Sequence, residues 1–231
     1  MDINGFTHKE TPLQLLEIIR ESLPQYLSES RLSHTISVEK EACSIAERIF
    51  SVLQIDSKYI SDISAAALLH DITKRNSLEE QHDFCRKYSI DTDSISYSSC
   101  NLLHAKTAAF VAKETFGINS IVFSAIFNHT TGKENMNVFD KIIFLADYIE
   151  PTRTHEVCKK AREAFYKELD SDENPINVLD RAVLCSLNDT ILHLINTSKP
   201  IEIQTIKARN HLLTNMPARL ERICKPNEKG Q

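Results

Sequence analysis

His34, the adjacent pair His70-Asp71, His104, His129 and Asp147 all lie on, or at the end of, segments that are otherwise apolar at helical spacing. Burying a carboxylate without a partner is expensive. Whatever fold this chain adopts must therefore satisfy two aspartates and several imidazoles within or beside its core. All six are metal-ligand types. Imidazole nitrogens and carboxylate oxygens aimed at one point would hold a divalent metal, and a bound metal can turn water into a nucleophile.

The segments that carry these residues read as helices joined by short loops. Thr11-Pro12 opens the first, with Thr11 as N-cap and Pro12 at the first helical position, and Pro24 interrupts it. A longer helix runs from about 30 to 53, with Val38, Ala42, Ile45, Ala46, Ile49 and Leu53 as its buried stripe. His34 lies one turn before Val38. Asp56 or Ser57 caps a helix that is apolar nearly all round, hence central, and that ends in His70-Asp71-Ile72-Thr73-Lys74. An amphipathic helix follows over 78–88, and the Ser/Asp-rich stretch 89–101 reads as a loop. Helices over 102–116, ending at a left-handed Gly117, and from 119 or 120 to His129 come next. Thr130-Thr131-Gly132 makes a turn. The apolar run 140–149 contains Asp147 and is closed by Pro151. Segments 162–169 and 176–195, a short extended link over 200–205 and a last amphipathic piece ending near 213 complete an all-α bundle.

Composition removes competing readings. Only four glycines occur in 231 residues, too few for nucleotide-cradling loops. A net charge of −5 predicts no large basic surface, so nucleic acid is not an expected partner. No run approaches the roughly 20 apolar residues of a membrane span, and the N-terminus MDINGFTHKE is not a signal peptide. The six cysteines lack paired spacing, which predicts reduced thiols and a cytoplasmic protein.

Each candidate ligand has an ordinary alternative. A lone helical histidine is usually exposed or satisfied in the core, and His8, His82, His155, His193 and His211 are read that way. Asp71 and Asp147 could be structural ion-pair partners of Lys or Arg. Both aspartates, the His-Asp adjacency and three further histidines together favour a metal site. His70 and Asp71 sit about 100° apart around a helix and can grip one ion from two sides. Lys74 rises on the same face, and Arg153 offers a planar fork suited to phosphate oxygens.

The order H…HD…H…H…D resembles that of HD-domain metal phosphohydrolases. The closer resemblance is to the YqeK family of bacterial symmetrical diadenosine-tetraphosphate hydrolases. It is carried by RLSHTISV (31–38), AALLHDITK (66–74), LLHAKTAAF (102–110) and, above all, NHTTGKENMNVFDKIIFLADYIEPTR (128–153). One departure is Ala108, where the family usually has Gly. The resemblance implies an all-α HD-domain helical bundle over 13–213, with 1–12 as an N-terminal extension and 214–231 as a charged, flexible tail. It implies an iron-dependent enzyme that splits diadenosine tetraphosphate into two ADP. By motif position, His34, His70, Asp71 and Asp147 would hold the metal. Arg31 would face the nucleotide, with Asp71 and Asp147 also beside it. His104 and His129 would touch the phosphates, or complete a second metal site with Asp71 as bridge. Arg153 would bind phosphate oxygens and Tyr148 would line the nucleotide pocket. Pro200, Ile201, Glu202, Ile203, Gln204 and Thr205 match, loosely, a segment next to the adenosine. Mixed N/O ligation also admits manganese, cobalt or zinc, as one ion or two. The reading admits a homodimer.

The chemistry follows from the residue types. A metal lowers the pKa of bound water from about 15.7 towards about 7, and the hydroxide attacks phosphorus in line. Lys74 and Arg153 offset charge on the phosphoryl oxygens, and His104 or His129 can protonate the leaving phosphate. Two alternatives remain: another HD phosphohydrolase acting on nucleoside monophosphates or cyclic dinucleotides, and a non-catalytic nucleotide sensor, whose mark would be a lost ligand.

Overall fold

The apolar stripes close on one another in a bundle of helices, described for residues 9–171 and 174–216 in a computed structural model. In chain order the helices are α1 (Leu13–Tyr26), α2 (Glu29–Leu53), α3 (Ile60–Leu69), α4 (Leu78–Tyr88), α5 (Ser94–Tyr97) and α6 (Cys100–Phe116). They continue with α7 (Ser120–Asn128), α8 (Val138–Ile149), α9 (Glu156–Leu169), α10 (Pro175–Asn196) and α11 (Ile203–Asn215). No strand occurs among the described residues.

α3 is the hub. Every residue from Ser61 to Leu69 is buried, as its all-round apolar sequence requires. α1, α2, α6, α7 and α8 pack around it. α9 and α10 lie against α8, α11 against α10, and α4 and α5 against α6. Local chemistry sets the ends. The Ser28 side chain caps α2, and Asn119 caps α7. Reciprocal capping boxes open α4 (Ser77 with Glu80) and α8 (Asn137 with Asp140). Gly117, at φ +65°, ends α6 in the left-handed region.

Several expectations need correction. Thr11 does not cap α1; Pro12 occupies that position. The Thr11 amide and hydroxyl instead donate to Asp62 Oδ1 at 2.8 and 2.7 Å, anchoring the entry to α1 on α3. Pro24 does not interrupt α1 but sits inside its last turn, where few later hydrogen bonds depend on it and where Leu23 and Leu27 are buried. The stretch 89–101 is not wholly a loop, because Asp93 accepts hydrogen bonds from Ile95 and Ser96 and nucleates α5. α9 begins six residues before the expected 162, at Glu156. The link 200–205 is not extended throughout: α11 starts at Ile203 with Glu202 as its cap.

Cys43, Cys85, Cys100 and Cys158 are free thiols. Cys185 is disulfide-bonded, against the expectation of thiols throughout. No helix of the described residues is long and apolar enough to cross a membrane. The expected tail falls outside the described residues from 217 onward, as does the N-terminal extension before residue 9.

Candidate metal and phosphate site

Five separate stretches of chain deliver the six singled-out residues to one place. α2 brings His34, the turn after α3 brings His70 and Asp71, α6 brings His104, the end of α7 brings His129, and α8 brings Asp147. The four imidazoles stand in a row. Ring centroids are 5.6 Å apart for His34 and His70, 5.0 Å for His70 and His129, and 5.0 Å for His129 and His104.

Asp71 is 3% exposed and divides its carboxylate between the two ends of that row. Oδ2 lies 3.4 Å from His70 Nε2 and 3.9 Å from His34 Nε2. Oδ1 lies 3.1 Å from His104 Nε2 and 3.8 Å from His129 Nε2. Asp147 Oδ1 is 3.0 Å from His34 Nε2 and 4.0 Å from His70 Nε2. Potential ligand atoms of three overlapping triads fall within 4.8 Å of one another: His34, His70, Asp71; His70, His129, Asp147; and Asp71, His104, His129.

Every histidine is oriented through its other nitrogen. Nδ1 of His70 meets the Ala67 carbonyl at 2.6 Å, Nδ1 of His129 the Ile126 carbonyl at 2.7 Å, and Nδ1 of His104 the Cys100 carbonyl at 3.3 Å. Nδ1 of His34 meets Glu150 Oε1 at 3.0 Å. With these acceptors taking Nδ1–H, each Nε2 presents a lone pair to the cluster. The Nε2 atoms of His34 and His70 are buried without a hydrogen-bond partner. An unpartnered buried nitrogen is costly, and a cation removes the cost. The donor set therefore fits a divalent metal.

Charge is arranged to match. Burial pushes the Asp71 carboxyl up, but His70 and His104 beside it hold it well below the usual carboxylate range. Asp147 is likewise low despite burial, because His34 and Arg153 adjoin it. Burial lowers His104, and burial together with the charges of His70 and His104 lowers His129 to about 3. Burial also opposes protonation of His70, but Asp71 and Asp147 outweigh it and raise its pKa.

The remaining candidates surround this centre unequally. Arg31 Nη1 donates to Asp71 Oδ2 at 3.0 Å. Arg153 Nη2 donates to Asp147 Oδ1 at 2.6 Å, and its Nε to the Asp147 carbonyl at 3.0 Å. The side chains of Arg31, Asp147 and Arg153 are 34, 21 and 36% exposed, so the cluster opens to solvent on their side. Lys74 Nζ stands 3.4 Å from both ring nitrogens of His104, its pKa lowered by burial. Tyr148 turns to α10, its hydroxyl 3.5 Å from Asp189 Oδ2. In the 200–205 link, Glu202 and Thr205 are buried while Pro200 and Ile203 are exposed. Glu202 is spent on capping α11 and on a hydrogen bond with Asp93.

Apolar spacing alone misses Glu150, which is wholly buried against His34. Its signal is a carboxylate placed three residues after Asp147 and directly before Pro151. The polar set that fixes His104 is also missed. Thr73 Oγ1 donates to the His104 carbonyl at 2.9 Å, and Gln81 Nε2 donates to the Thr73 carbonyl at 2.6 Å.

This constellation has counterparts. The HD-domain family model matches residues 31–152. A relative from Halalkalibacterium halodurans, described as a symmetrical bis(5'-nucleosyl)-tetraphosphatase, is 33% identical over 189 residues, covering 81% of this chain and 91% of the relative. One from Staphylococcus aureus with the same description is 33% identical over 195 residues, covering 84% and 90%. A solved structure from Clostridium acetobutylicum, described as a predicted HD superfamily hydrolase involved in NAD metabolism, has a TM-score of 0.73 at 30% identity. It covers 86% of this chain and 96% of that one. A shared family model, close relatives aligned nearly end to end and a shared fold agree: the chain belongs to the HD-domain family and, within it, to the YqeK family of symmetrical bis(5'-nucleosyl)-tetraphosphatases.

Proposed function

We propose that this chain is a metal-dependent hydrolase that cleaves diadenosine tetraphosphate and related dinucleoside polyphosphates symmetrically, giving two ADP. The observation that carries the chemistry is the row of four histidines, each held through Nδ1 so that Nε2 faces two ionised aspartates, Asp71 buried and Asp147 half-buried. The substrate class rests on the relatives' activity. No expected ligand is missing, which disfavours a non-catalytic sensor.

His34, His70, Asp71 and Asp147 would hold the ion, which we assign as iron. Asp71, through Oδ1, would hold a second ion together with His104 and His129. A divalent cation there supplies Lewis acidity and makes water a nucleophile near neutral pH. The chain's own residues do the rest. Arg31 and Arg153 stand at the open side with planar forks that match phosphate oxygens, and would orient the polyphosphate across the aspartates. Lys74 brings a further positive charge beside His104, where charge grows on the transferring phosphoryl group. We assign residues 13–213 as the unit that carries this activity.

The deciding experiment incubates iron-loaded, anaerobically purified protein with diadenosine tetraphosphate and separates the products by anion exchange. ADP alone is expected. ATP plus AMP would keep the hydrolase and overturn the symmetrical cleavage. No product from metal-loaded protein would overturn the substrate assignment.

A further inference from the structure

Among the four histidines, His34 alone is oriented by a carboxylate. His70 and His129 stand just past the ends of α3 and α7 and each ring takes a carbonyl of the last turn, the Ile126 carbonyl also accepting the His129 amide. His104 lies in the first turns of α6 and reaches the Cys100 carbonyl only at 3.3 Å. His34 sits inside the 25-residue α2, whose local carbonyls serve the helix ladder. It needs an acceptor from elsewhere, and Glu150 supplies it from 116 residues away.

The chain around Glu150 is shaped for this. Pro151 disfavours helical geometry at the preceding residue. α8 accordingly stops at Ile149, and Glu150 is extended at ψ 150°. The buried carboxylate is ringed by donors, Ser37 among them. Thr152 donates through its amide to Oε2 and through its hydroxyl to Oε1, both at 2.6 Å, and His34 Nδ1 takes the remaining direction on Oε1. Arg162 of α9 donates to the Ile149 and Glu150 carbonyls and so pins the backbone of the turn.

We infer that Glu150 is the positioning residue for His34: its carboxylate accepts Nδ1–H, fixes the ring and the tautomer, and strengthens Nε2 as a metal donor. The role rests on the metal reading proposed above. Ligands held by such carboxylates typically lose about 10- to 100-fold in metal affinity when the partner is changed. Glu150→Gln conserves size, but Glu150 accepts on both oxygens. An amide must turn its NH2 toward either His34 or the Thr152 amide, and even with its oxygen toward the ring it has lost the charge that strengthens the hold.

The test is calorimetric titration of Mn2+ into metal-free wild type, Glu150→Gln and Thr152→Val. Glu150→Gln is expected to weaken Mn2+ binding about 10- to 100-fold. Its metal-free melting temperature should stay near wild type. Excess Mn2+ should restore its turnover without a change in KM for the dinucleotide, a rescue that a purely structural residue would not show. Thr152 is exposed, so Thr152→Val is the folded fallback, and a several-fold weakening is expected there. Wild-type affinity in folded Glu150→Gln overturns the inference, as does wild-type affinity in Thr152→Val should Glu150→Gln not fold. If the wild type itself takes up no Mn2+ or Fe2+, the metal reading falls and this role with it.

Discussion

His104 Nε2 and His129 Nε2 face each other at 3.1 Å in a buried pocket. Both rings have lowered pKa values, and both give Nδ1 to a backbone carbonyl. The two nitrogens can share one proton, or both can turn lone pairs on one ion. An ion there would satisfy this pair together with the unpartnered Nε2 atoms of His34 and His70.

Added metal should consequently stabilise the fold. At free metal a hundred times its Kd the gain is about 2.7 kcal/mol. For a chain of this size that is a rise in Tm of about 5 to 10 °C. Differential scanning fluorimetry with Mn2+, Co2+ or Fe2+, reversed by a chelator, measures it. An unmoved Tm at saturating metal would falsify the metal reading of this cluster.

Asp71 contributes to both ends of the histidine row, so its loss should be felt at both. Asp71→Ala is expected to bind substoichiometric metal and to retain less than about a thousandth of wild-type turnover, the equivalent of roughly 4 kcal/mol of transition-state stabilisation. Circular dichroism should remain helical. Full turnover with bound metal would remove Asp71 from the ligand set.

Arg153 holds both the side chain and the carbonyl of Asp147 while remaining partly exposed. Arg153→Ala should raise KM about tenfold, the loss of a charge-assisted hydrogen bond. Arg153→Lys should recover only part of it, since an ammonium lacks the fork. Steady-state kinetics at saturating metal decide the point, and unchanged KM and kcat would make Arg153 a structural partner of Asp147 only.

Gly132 closes the turn after His129 at φ +64°, and a Cβ there would stand 3.0 Å from Ala208 Cβ and 3.3 Å from Met136 Sδ. Gly132→Ala should cost about 1 to 2 kcal/mol from backbone conformation, with the clash against α11 adding to it. The urea midpoint reads the cost. A loss no larger than the backbone cost would show that α11 yields freely, and a midpoint equal to wild type would refute both costs.

Glu202 links the α10–α11 connection to Asp93. Burial, then the neighbouring Asp93, raise its pKa, while Asp93 is held at about 2: burial opposes its ionisation, but hydrogen bonds from Ser96 and Glu202 prevail. A raised acid pKa stabilises the fold while the group is protonated, and that contribution is lost as pH rises through the folded value. Asp93 acts oppositely, losing its contribution only as pH falls towards about 2. Wild-type Tm should therefore decline as pH rises above the ordinary glutamate range. Glu202→Gln, which can donate to Asp93 at any pH while still capping α11, should lack that decline and gain about 1 kcal/mol near neutrality. Parallel Tm-versus-pH curves for the two proteins would refute the link.

Helical spacing of apolar residues, with a recognisable cap or stop at one end, is enough to place α2, α4, α6 and α7 to within a few residues. It fails at α1, where Thr11 and Pro24 carry terminus signals that a long-range bond to Asp62 and the burial of Leu23 override. It fails at α5, a single turn too short to have a period. The convergence of His34, His70, Asp71, His104, His129 and Asp147 is suggested by residue type, since ionisable groups on apolar faces must meet something. What orients them is less legible. Backbone carbonyls at helix ends have no side-chain signature, and Glu150 looks in sequence like any acidic residue beside a proline.

The pairing of His34 with Glu150 spans 116 positions, and its consequence concerns the order of events as the chain is made. A growing chain that has emerged only as far as residue 129 exposes all four imidazoles but lacks both Asp147 and the acceptor that aims His34. Closing so wide a loop costs conformational entropy that only the finished packing of α2 on α8 repays. A captured ion would then act as a rivet between the first and third quarters of the domain. Any fluctuation that lifts α8 would release it, so the rate of metal loss offers a clock for how often this protein opens.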